Sequence, residues 1–271
     1  MRLLLACGRD GLLEYRFTAL WRSLPCPLRA PSLICREGGC IALADNQAHE
    51  LWAGGRVTHV ESDLEALLLW RGRALTLSGN TGCVTMLDLV SGLPMITTPV
   101  GVSPQGMCLL SPQLLAVCGG ADRTLYLLSP ADLTLVRRIP LRGQPQRVAW
   151  SDPLLYVLCD VSSDASLCQL LSIDRHGIIR TVAQLPGAAG ALCPAERGGV
   201  WCAAGDALAR FSPAQARPDV TLSGFSVVSS LHWREGMLAV CDAGSGECVL
   251  LTARGDTLLR LRGDACQALL V

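Results

Sequence analysis

Hydrophobic residues come along this chain in short bursts that stop at glycine or aspartate. The run LLAVC at Leu114–Cys118 meets two glycines, and the same shape recurs through the sequence. LLLACG ends at Gly8, CIALAD at Asp45, ALTLSG at Gly79, LLAVCG at Gly119, LYVLCD at Asp160, VWCAAG at Gly205 and MLAVCD at Asp242. Successive end points lie 34 to 45 residues apart, and the step from Asp242 past the C-terminus round to Gly8 is another 37. A repeat of roughly 40 residues is the mark of a propeller or a solenoid. The fourth unit shows the internal pattern. Gln105–Leu110, Leu114–Cys118, Thr124–Leu128 and Leu133–Pro140 are apolar runs separated by SPQ, GGADR and SPAD. Runs of this length, rich in Val, Leu and Ile and bounded by Gly, Pro, Asp and Ser, predict strands. No segment holds a 3.6-residue period long enough for a good helix. Many runs are apolar on both faces, as expected of a sheet packed between two others.

The ends of the chain complete the pattern. It starts at a second strand, Arg2–Cys7, and finishes with a lone first strand, Ala265–Val271. Pairing the two would complete the blade begun at residues 2–24 and remove the open edges of an array. The expectation is an all-β, seven-bladed β-propeller of four-stranded antiparallel blades, one domain over residues 1–271, closed by the C-terminal strand. Other first strands are expected to end at Cys35, Trp70, Trp150, Cys193 and Trp233, each before a tight turn.

Blades three to five also carry motifs. Gly101–Pro104 leads into a first strand, LSPQ follows at Leu110–Gln113, and TLVRRIPLRG runs from Thr134 to Gly143. Gly143–Pro145 and WSDP at Trp150–Pro153 repeat the scheme. These pieces resemble the YncE-like seven-bladed propellers of the broad YVTN/WD40-like group. The WD dipeptide and the Gly-His start of true WD40 repeats are absent. The resemblance implies a fold; function has to be argued from a site.

Composition narrows the function. Half the residues are hydrophobic and 17% charged, which suits a large core and argues against disorder. The formal net charge is zero, so the basic excess of a nucleic-acid or anionic-membrane binder is missing. All 23 basic residues are arginine, which removes lysine chemistry. No apolar run reaches the ~18 residues of a membrane span. The opening LLAC resembles a lipoprotein cleavage box, but only six residues precede Cys7 and charge returns at Arg9 and Asp10, so it reads as a strand. A cytoplasmic location with reduced thiols is expected, and a monomer.

The fourteen cysteines are the first chemical candidates. Cys7, Cys118, Cys159 and Cys241 share one repeat position with Ala44, Ser78 and Ala204. A slot filled by Cys, Ala or Ser asks for a small side chain, not a thiol. No C-x-x-C or zinc-type Cys/His spacing occurs. Turns between second and third strands carry Asp10, Asp45, Asp122, Asp160, Asp164, Asp206, Asp242 and Glu247. Asp45, Asp122, Asp160 and Asp242 could ring a hard cation, as a gluconolactonase-like hydrolase requires. The competing reading is that each Asp caps its own turn. Gln105, Gln146 and Gln267 begin first strands, where their amides could ring the channel mouth and bind a ligand, or hydrate a funnel. Of the histidines His49, His59, His176 and His232, only His232 falls on a first strand near the channel, where it joins the three glutamines as a ligand-binding candidate, a packing or hydrogen-bonded role being the competing reading. The expected function is a non-enzymatic module that binds a partner protein or small molecule at the channel mouth, with no cofactor. A metal-dependent lactonase is the alternative, and a quinone-dependent oxidoreductase a weaker third.

Overall fold

The computed structural model describes residues 2–16, 19–213, 215–263 and 266–271. Among them, seven four-stranded antiparallel sheets form the blades of a propeller, and helix is confined to two short 3-10 turns at Gly8–Asp10 and Glu196–Gly198. Blade one joins Gln267–Leu270, Arg2–Cys7, Gly11–Arg16 and Ala19–Leu24. Blades two to seven then follow in chain order, each with its strands in sequence order from the channel to the rim. The closing strand pairs Leu270 with Leu3, Leu269 with Leu4, Ala268 with Leu5 and Gln267 with Ala6. Ala265, expected at the head of that strand, lies outside the described residues. In blade four the third strand is Thr124–Leu128 as expected. The fourth strand starts later, at Leu135, because Leu133 turns the chain with φ +54°.

Alternation along each second strand builds the core. Successive side chains of a strand point to opposite faces. Leu115 and Val117 pack with Leu75, Leu77 and Met86 of blade three, whereas Ala116 and Cys118 pack with Val157 and Cys159 of blade five. The same holds round the ring, and the last gap is filled by Leu4, Leu12 and Leu269 of blade one against Ile34 and Leu43 of blade two. Beyond their first positions, most strand-two residues are therefore core residues on one side or the other, which is why these runs read as continuous apolar stretches.

The small-residue slot is real. Cys7, Ala44, Ser78, Cys118, Cys159, Ala204 and Cys241 are all buried, none more than 6% exposed. No disulfide joins any of the described cysteines. Burial raises the Cys118 thiol well above its ordinary pKa and pushes those of Cys108 and Cys159 to about 12. Such thiols stay protonated and unreactive at neutral pH. Cys118→Ala is expected to shift the chemical-denaturation midpoint little. Cys118→Leu should destabilise by about 1–3 kcal/mol through overpacking between blades four and five.

The turn after Cys118 leads to the upper face, where the second-to-third-strand turns meet the loops that enter first strands. Gly120 has φ +57°, and a Cβ there would collide with the Ser103 carbonyl oxygen of the entering loop. Only glycine gives both the left-handed backbone and the clearance.

Candidate functional site

First strands line the central channel, and their starting residues form its upper mouth. A cavity of about 210 Å³ lies there, bounded by Glu65, Gln105, Arg147, Ser229, Cys266 and Gln267 among others, with residues contributed by all seven blades. Its charged members are Glu65 and Arg147. Arg147 is held by its own strand and its neighbour, since Nη1 donates to the carbonyl oxygens of Gln105 and Gln146, each at 3.0 Å. A guanidinium has five N–H donors, so the contacts formed by one Nη leave others for a ligand. Partial desolvation at the mouth pushes the Glu65 carboxyl above its ordinary pKa, against the pull of the Arg147 charge.

The structure separates the four expected ligand-binding residues. Gln105 and Gln267 reach the mouth. Gln267 Oε1 accepts the backbone N–H of Ile34 and so ties the closing strand to blade two. Gln146 is not among the lining residues, because the pairing register slips between Pro145 and Arg147 and presents Arg147 to the channel instead. His232 lies at the far end of its strand, in the opposite mouth. There its Nδ1 accepts the N–H of Leu270 at 3.1 Å. Burial, helped by the Arg234 charge, lowers its pKa to about 4, so the ring is neutral at pH 7. A one-residue slip in a first strand moves a different side chain into the channel. No propensity rule reveals such a slip, which is how Arg147 escaped the sequence reading.

The aspartates hold backbone. Asp45 is 1% exposed; its Oδ2 accepts the N–H of Ala30 at 2.7 Å and its Oδ1 those of Gln47 and Ala48 at 3.0 Å. Asp122 accepts the N–H of Val102 at 3.0 Å and the hydroxyl of Tyr126 at 2.7 Å. Asp160 accepts the N–H of Ala189 in the next blade at 2.9 Å. Asp242 accepts those of Ser226 and Val227 at 2.9 and 2.7 Å. In each case at least one carboxylate oxygen, and both in Asp242, accepts an N–H from a loop or strand entering the channel. Among the described residues, no three His, Cys, Asp or Glu side chains gather into a group that could hold a metal ion. Asp45, Asp122, Asp160 and Asp242, the set that the metal alternative would use, form no such group among the described residues. Turn preference had favoured capping, and capping is what these residues do, with the added reach to a second segment.

The chain matches no protein-family model and no curated protein sequence. Solved structures share its fold. A candidate 6-phosphogluconolactonase from Bacteroides uniformis superposes with a TM-score of 0.78 at 10% identity, covering 100% of this chain and 99% of that one. A protein from Lactobacillus plantarum gives 0.76 at 13% identity, covering 98% of each. Virginiamycin B lyase from Staphylococcus aureus gives 0.70 at 11% identity, covering 86% of this chain and 84% of that one. At these identities the likeness is one of fold. Among the described residues, no helix is long and apolar enough to cross a membrane.

Proposed function

We propose that this propeller is a non-enzymatic binding module that takes a small polar ligand at its upper channel mouth. The observation that carries the reading is the convergence of Arg147, Glu65, Gln105, Gln267 and Ser229 on one cavity of about 210 Å³. Pockets for drug-sized ligands start at roughly 300 Å³, so the volume favours a small metabolite over a folded partner segment. One fixed guanidinium and one carboxylate suit a molecule with an anionic group at one end and hydrogen-bond donors at the other. An amino acid or amino sugar acid has that chemistry. The lactonase alternative draws on the fold likeness to the Bacteroides uniformis protein, but the aspartates it would need are committed to backbone donors.

Thermal melts with free amino acids, sugar acids and simple carboxylates as probes test the reading. A stabilising probe is expected, and Arg147→Gln should weaken its binding about 10- to 100-fold, the weight of a charge-assisted hydrogen bond. Lactone hydrolysis that depends on added calcium and falls in Asp122→Asn would overturn it in favour of the alternative.

A further inference from the structure

The channel has a second mouth with a different chemistry. It lies at the ends of the first strands, where a cavity of about 360 Å³ is lined by Arg36, Gly38, His232, Arg234, Leu269 and Leu270. These residues come from three consecutive blades, with His232 and Arg234 on blade seven, the two leucines on blade one, and Arg36 and Gly38 on blade two. The linings share no residue: on the Val228–Arg234 strand, Ser229, Ser230 and Leu231 line the upper cavity and His232 and Arg234 the lower. The two cavities are distinct.

Every ionised side chain lining the lower cavity is cationic. Arg36 is oriented through one guanidinium nitrogen and Arg234 through two. Arg36 Nε donates to the Gly38 carbonyl oxygen at 2.6 Å. Arg234 Nε meets Glu235 Oε1 at 3.3 Å, and its Nη1 donates to the Leu270 carbonyl oxygen at 3.4 Å. Since each guanidinium carries five N–H donors, each keeps donors beyond these contacts. Nearby carboxylates are engaged. Glu235 is on Arg234, and Glu37 Oε1 accepts the backbone N–H of Arg71 at 3.0 Å. His232 adds a third donor. Because its Nδ1 accepts from Leu270, the neutral ring carries its proton on Nε2. Leu269 and Leu270 supply apolar wall beside these donors.

From the convergence of Arg36, Arg234 and the fixed His232 ring on one cavity, we infer that the lower mouth binds a small organic carboxylate. The two planar guanidinium forks match the carboxylate group, and the leucines match a short carbon stem. The site stands apart from the ligand site at the upper mouth and does not depend on it.

Isothermal titration with succinate as the probe, at constant ionic strength and with sodium chloride as the control, tests the inference. Saturable one-to-one binding of succinate is expected, absent for chloride. Arg36→Gln and Arg234→Gln should each weaken it about 10- to 100-fold, as expected for loss of a charge-assisted contact. Arg36→Lys, which keeps the charge and loses the fork, should fall between. Histidine NMR gives a second readout that does not depend on the arginine variants, since the His232 ring signals should move on adding succinate. The His232 signals report on the lower mouth alone, because His232 does not line the upper cavity. Binding that survives the Arg36→Gln/Arg234→Gln double variant, an unmoved His232 signal, or a response equal to that of chloride would overturn the proposal. Thermal melts of each variant distinguish lost binding from lost fold.

Discussion

Deleting residues 266–271 should abolish cooperative folding. The closing strand buries Ala268, Leu269 and Leu270, the last two 9% and 1% exposed, in both gaps that flank blade one. Burying a leucine is worth about 1.5–3 kcal/mol. The deletion also breaks the ladder to Arg2–Ala6, including the paired bonds between Arg2 and Val271 at 2.8 and 2.7 Å. Ties to the neighbouring blades go as well. The N–H of Ala268 donates to Ser230 Oγ at 3.3 Å, that of Leu270 to His232 Nδ1, and that of Ile34 to Gln267 Oε1. Together these losses match the whole stability of an ordinary domain, about 5–15 kcal/mol. Circular dichroism melts measure the outcome. A truncated chain that still melts sharply within a few degrees of the full one would show that the ring is held by other means.

Asp242→Ala is expected to cost about 3 kcal/mol, the next largest effect. The carboxylate is 3% exposed and accepts two backbone N–H groups from the loop that enters its blade. Bonds to a charged group contribute about 1.5–3 kcal/mol each, and the donors left behind would be poorly solvated. Burial pushes the Asp242 carboxyl up, but the N–H groups of Ser226 and Val227, with Ser245, outweigh it and hold the pKa below the ordinary aspartate value. A carboxyl whose pKa falls on folding stabilises the fold fully above its unfolded pKa, near 4. That contribution is lost as pH falls toward the folded-state value. Urea denaturation of wild type and variant at pH 7 and at pH 3 should therefore show a gap that narrows in acid. An equal gap at both pH values would mean that the residue acts through packing alone. Asp242→Asn keeps one acceptor oxygen and should fall between.

The repeat of apolar runs was enough to read blade number, strand order and the closure of the chain on itself. Each second strand has to be apolar on both faces, and that requirement writes the same signal seven times. Cys118 shows how local such a signal can be. Its equivalence with Ala44, Ser78 and Ala204 already said that size matters, and burial in the gap beside Cys159 says why. The site was less legible. Gln105 and Gln267 line the mouth cavity and Gln146 does not, while Arg147 and Glu65, which no repeat position marks out in the sequence, do. Arg36 and Arg234 looked like ordinary turn residues.

What the sequence determined by itself is the architecture, because strand period and turn chemistry are local properties repeated along the chain. What only the tertiary structure decided is which side chains meet. A bulge at Gln146 turns Arg147 into the channel, the aspartates bend onto backbone instead of toward one another, and ring closure sets Arg36 across from Arg234. Those pairings depend on register and on the order of blades in space, and residues about 200 positions apart in the sequence become neighbours only when the ring closes.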